Sequence, residues 1–161
     1  MIAHPSHFGA WAGVAEQLAL VAGGMIAYSF TATIDATLGA RLGRAGVLAF
    51  GFCALIFGLA HFLYASATAA MVPKWIPPGA LFWAYATGAA HLAAGLAILS
   101  GIQARLAARL LTAMFAVFAV LVHAPLVIAD PGSHLNWVMN AMNLALTGAA
   151  WVVADGLARR E

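Results

Sequence analysis

The chain has 161 residues, of which 65% are hydrophobic and only 7% charged, and its mean hydropathy is +0.96. Soluble domains carry roughly 25% charged residues, so this composition excludes an ordinary soluble fold. The formal charge of +2 rests on seven basic residues that form no basic stripe to track phosphates, which argues against nucleic acid as a partner. The single Cys53 excludes an internal disulfide and CxxC chemistry. Its neighbours Gly51, Phe52 and Ala54 point to a thiol buried in a helix.

A helix needs about 20 apolar residues to cross the hydrocarbon core. Five such runs follow in chain order, at about 9–31, 44–65, 79–100, 106–129 and 134–155. The expected class is all-α integral membrane, with five transmembrane helices in the lipid bilayer and short connections between antiparallel neighbours. Helices satisfy their own backbone groups in lipid, and the alternation of a β-barrel is absent. The opening MIAHPSHFGAW lacks Lys and Arg, unlike a cleavable signal peptide, so the first run is expected to remain in the mature protein.

Charge sets an orientation. Arg41 and Arg44 fall between runs one and two, Arg105 and Arg109 at the junction of runs three and four, and Arg159 and Arg160 after run five. Only Lys74 falls at the other end. Positive charge marks the cytoplasmic side, which places the N-terminus outside and the C-terminus in the cytoplasm. The segment MVPKWIPP, with Pro73, Pro77 and Pro78, then lies outside. It reads either as a stiff interfacial turn or as a lid over an outward-facing pocket.

Ionisable groups inside spans are costly and suggest function. The candidates are Glu16, His61, His91 and His123, all expected in the outer half or near the midplane, with His134 at the outer start of run five. Helical phase puts each beside small residues: Gly13, Glu16, Leu20 and Gly23; Gly51, Ala54, Gly58 and His61; Ala84, Gly88, His91 and Gly95; Ala116, Ala119 and His123. Small residues let helices approach closely. In run five Asn136, Asn140, Asn143 and Thr147 share one stripe that should face the bundle. Such amides serve either as bonds between helices or as the wall of a polar cavity.

The order GLAHF, MVPKWIPP, FWAYATGAAHLAAGLAIL, followed by the ending VHAPLVIADPGSHLNWVMNAMNLALTGAAWVVAD, resembles the DoxX and DoxX-like membrane family over residues 44–156. The resemblance implies a four-helix bundle in the bacterial cytoplasmic (inner) membrane. It divides the chain into an N-terminal helix and loop, 1–43, and a DoxX-like bundle, 44–161. It also implies a link to quinol-oxidising complexes and redox stress. Many members have an acidic residue where this chain has His91, so a carboxylate role does not carry over to that position.

Three functions follow as alternatives. A redox-associated membrane subunit or binding protein would hold a quinone or similar ligand with Glu16, His61, His91, His123, Asn136, Asn140 and Asn143, and with His91, His123 and Asn140 on its carbonyl oxygens. A haem or transition-metal protein would use His61, His91 and His123, with His61 and His123 as the axial pair for haem. A structural or assembly subunit would use the polar stripe for packing alone, within a membrane redox complex or a homo-oligomer. No spaced nucleophile–base set, phosphate loop or carboxylate pair suggests a free-standing enzyme.

Overall fold

The computed structural model describes residues 5–160. Its long helices are α1 (Pro5–Thr31), α2 (Ala36–Leu63), α4 (Ala80–Ser100), α5 (Ala104–Phe118) and α7 (His134–Ala158). Two short helices, α3 (Ala65–Met71) and α6 (Ala124–Ala129), lie between them. No strand occurs among the described residues. Five stretches are long and apolar enough to cross a membrane, the fourth running from Ala104 through Ala129.

Local chemistry sets the helix ends. Asp35 caps α2, its carboxylate accepting from Thr37 N at 2.9 Å and Leu38 N at 3.0 Å. The helix therefore begins at Ala36 rather than near 44, and Arg41 and Arg44 sit in its first turns instead of a loop. Gly101, at φ 79°, ends α4 in a left-handed turn that a glycine adopts without strain. The turns before α4 and α7 are tied in the same way. Trp83 Nε1 donates to Pro77 O, and Trp137 Nε1 donates to Pro131 O, each at 3.0 Å across six residues. Each tryptophan thus anchors an early turn of its helix to the proline turn before it.

The fourth span is not a uniform α-helix. Ala119–His123 form a π turn, closed by Ala124 N donating to Ala119 O. Pro125 follows at once. It offers no N–H to Leu121, and its ring would crowd that carbonyl, so a widened turn just before it relieves both problems. Ala116, expected beside Ala119 and His123, is exposed, and the buried stripe runs instead through Ala108, Leu111, Thr112, Phe115 and Ala119.

The five spans form a ring. In order around it, α1 packs on α2, α2 on α4, α4 on α5, α5 on α7, and α7 back on α1. A close seam joins α2 to α4 through paired glycines. A Cβ on Gly58 would stand 2.9 Å from Gly88 O, and one on Gly95 would stand 2.9 Å from Gly51 O. Both glycine pairs are spaced seven apart, two helical turns, so the backbones run close together over that length. On α1 the buried stripe is Ala15, Ala19, Ala22 and Ile26. It lies one residue round from the expected stripe: Gly23 meets Ala149 of α7, whereas Gly13 faces open space. Phe50, Ile26, Leu111, Val153 and Cys53 fill the centre.

Candidate functional site

All six arginines gather at one end of the ring, near the end of α1, the starts of α2 and α5 and the end of α7. Arg159 is paired with Asp155 at 2.9 Å and lies 4.5 Å over the Phe30 ring. The other half of the ring holds a cavity of about 600 Å³ with a largely apolar wall. Every span contributes to it. Ala12 and Glu16 come from α1, Phe57, Ala60 and His61 from α2, Trp83, Thr87 and His91 from α4. Phe115, Phe118 and His123 come from the fourth span, and Met139, Met142 and Asn143 from α7.

The segment after α2 covers this space. Thr68 and Met71 of α3, with Val72, Pro73 and Ile76 beyond it, line the cavity. Of the two readings of MVPKWIPP, the turn is therefore also part of the wall. Lys74 and Trp75 point outward, Trp75 being 72% exposed.

Four ionisable residues from four different spans, Glu16, His61, His91 and His123, meet at this cavity. The α2–α4 glycine seam explains the closest pair. A Cβ on Gly88 would strike His61 Cβ at 2.9 Å, so His61 rides over the small face of α4. Its ring lies 4.8 Å from that of His91, centroid to centroid. Each histidine is held from its own helix: His61 Nδ1 donates to Phe57 O, and His91 Nδ1 donates to Thr87 O, both at 2.9 Å. The rings sit among phenylalanines. His91 is edge-on to Phe57 at 6.0 Å and 5.5 Å from Phe115, and His61 stacks on Phe118 at 6.5 Å.

Two nitrogens here stand out. His91 is only 1% exposed, and its Nε2 has no hydrogen-bond partner among the described residues. The same holds for the buried Nδ1 of His123. Glu16 is half-buried on the wall and has no hydrogen-bond partner among the described residues. Buried polar atoms are normally paired, so orphans at a cavity wall invite a ligand.

The asparagine stripe divides. Asn143 is buried and lines the cavity, but its Nδ2 donates to Phe115 O at 2.8 Å, joining α7 to α5. Asn136 donates to Leu126 O at 3.0 Å, next to Pro125. Thr147 bonds back to Asn143 O. Asn136 and Asn140 are absent from the cavity wall. For His61, His91 and His123 as metal ligands, the geometry gives little: among the described residues no group of three or more His, Cys, Asp or Glu side chains is placed to hold an ion.

The sequence reading missed the aromatic lining. Phe57 stands four residues before His61, and Thr87 four before His91, which puts each pair on one helical face. That spacing was the available signal. Phe118 and the lid residues carried none, since only the folded ring brings them in.

No curated protein and no solved structure matches the chain. Residues 48–155 match a family described as a domain of unknown function, DUF8561. The matched stretch holds most of α2, all of α4 and α5, nearly all of α7, and every cavity residue except those of α1. It covers well over half of the sequence, and the chain belongs to this family.

Proposed function

We propose that this protein is a small multi-pass membrane binding protein whose cavity takes an apolar ligand with a polar head, a quinone or a molecule of that kind. The observation that carries this reading is the orphaned Nε2 of His91, buried at the wall of a cavity of about 600 Å³. Leaving such an atom unpaired costs about 1–3 kcal/mol, which a hydrogen-bond donor on a ligand's polar head would recover. The volume falls within the roughly 300–1,000 Å³ of small-molecule sites. Phe57, Phe115 and Phe118 offer ring faces and edges to a flat head group.

The resemblance of residues 44–156 to DoxX-like proteins supports a redox setting, as a subunit of a membrane complex or as a homo-oligomer. In this reading α2, α4, α5 and α7 form the four-helix core, and α1 adds a fifth wall bearing Glu16. Six of the seven basic residues stand at the end away from the cavity. By the positive-inside rule that end is cytoplasmic, the N-terminus is outside, and the cavity lies in the outer half of a bacterial inner membrane.

Native mass spectrometry of gently extracted protein tests the reading. A mass excess matching a quinone is expected, and Ala60→Phe, which fills the cavity, should remove it. A bare, folded protein that also fails to bind an added short-tail quinone and its hydroquinone would overturn the proposal.

A further inference from the structure

The polar groups of the cavity wall differ in what they have left to offer. Trp83 Nε1 is committed to Pro77 O, and Thr87 Oγ1 to Trp83 O at 2.7 Å. Asn143 Nδ2 is committed to Phe115 O. His61 Nδ1 and His91 Nδ1 are committed to Phe57 O and Thr87 O. Each of the five donates to a backbone carbonyl of the bundle itself, and among the described residues the wall keeps, apart from His123, only the second N–H of Asn143 and the Thr68 hydroxyl besides.

The two histidine bonds fix more than orientation. A backbone carbonyl oxygen accepts and cannot donate, so each Nδ1 must carry the proton. In a neutral imidazole the other nitrogen, Nε2, then holds a bare lone pair. His61 and His91 thus bring two acceptor nitrogens to the same corner, on rings 4.8 Å apart. Glu16 adds carboxyl oxygens across the cavity. His123 keeps one donor and one acceptor in its neutral form.

We propose that this cavity selects ligands that donate hydrogen bonds, and specifically aromatic hydroxyl groups, through the Nε2 atoms of His91 and His61. The inference rests on the reading of the cavity as a site for quinone-like molecules and names the form it prefers. A quinone's carbonyl oxygens only accept, and would meet the lone pair of His91 unpaired. A hydroquinone or phenol presents O–H groups to that lone pair, with its ring among Phe57, Phe115 and Phe118. A site whose polar groups need a particular partner discriminates strongly against an analogue that lacks it. The expectation that His91 bonds a quinone carbonyl is thereby reversed: His91 accepts, and the ligand donates.

The test uses the full chain in detergent, without oxygen, and three probes with one short tail: a hydroquinone, its quinone and its dimethyl ether. Binding is read by displacement or by the change in tryptophan fluorescence, to which Trp83 on the cavity wall contributes. The hydroquinone should bind at least tenfold more tightly than either analogue, which has the ring but no donor. In His91→Phe, which keeps an aromatic ring and removes the acceptor, the three affinities should converge. If His91→Phe fails to fold, His61→Phe should narrow the same ratio. A monohydric phenol that binds like the hydroquinone assigns recognition to a single hydroxyl and supports the proposal. Equal binding of all three probes to the parent protein, or preference for the quinone, would overturn donor selection while leaving a quinone site in place. Failure of all probes to bind would overturn both.

Discussion

At the scale of single residues, the polar side chains of this bundle do two kinds of work, and mutation should separate them. Asn143 joins α7 to α5 through Phe115 O and is 7% exposed. Amide bonds between membrane helices are worth about 0.6–2 kcal/mol. Asn143→Ala should therefore lower stability by about 1 kcal/mol, read as a shift in thermal unfolding in detergent. Asn140 is half-buried and makes no side-chain hydrogen bond among the described residues, so Asn140→Ala should change stability by less than about 0.5 kcal/mol. Equal losses would mean that the stripe acts as a unit. The sequence showed the two residues as equivalents, because helical phase tells which face a side chain shares and not which carbonyl stands opposite. Phase did suffice to bring Glu16, His61, His91 and His123 towards one space. It misled for Ala116, which lies one residue round from the buried Phe115 and faces outward.

At the scale of elements, the α2–α4 seam decides whether the histidine pair exists at all. A Cβ on Gly58 would lie 2.6 Å from Leu92 Cγ and 2.9 Å from Gly88 O. Leu92 could shift, but the backbone carbonyl could do so only if the helices parted. Overpacking of this kind costs about 1–3 kcal/mol. Gly58→Ala should lower the melting temperature and also abolish ligand retention, because His61 moves away from His91 as the seam opens. Gly148→Ala is the control: nothing lies within 4 Å of its added Cβ, and the gain in helix propensity should leave stability equal or higher by about 0.5–1 kcal/mol. A second element-level prediction concerns Pro125. Pro125→Ala restores an N–H that can bond to Leu121 O, so the π turn should relax towards a regular helix and rotate His123 relative to the cavity. Stability should hold while ligand binding weakens, as titration with a short-tail probe would show. The Gly51, Gly58, Gly88 and Gly95 stripes were legible in the sequence, since close packing needs small residues at helical spacing. Helix α3 was not, because ASATAAM lacks the length and the periodicity that separate a helix from a loop.

At the scale of the whole molecule, the ring is polarised, and the polarity makes the orientation testable. Arg41, Arg44, Arg105, Arg109, Arg159 and Arg160 mark one end, whereas the cavity and the prolines mark the other. The span count and the charges already agreed on this in the sequence, since an odd number of crossings puts the two termini on opposite sides. The fold adds that α1 is a wall of the ring. It closes the gap between α2 and α7, which barely meet each other directly, and it carries Glu16 to the cavity. An inverted molecule would open the same cavity to the cytoplasm, so the side decides which pool of ligands it meets. Single cysteines can read it. Cys53 is fully buried and should add no background label. Trp75, at the cavity end, and Ile102, at the arginine end, are each 72% exposed. In spheroplasts a membrane-impermeant maleimide should label Trp75→Cys, and should label Ile102→Cys only after lysis. The reverse pattern would turn the cavity towards the cytoplasm and refute the outward-facing reading, yet it would leave the chemistry of the histidine corner unchanged.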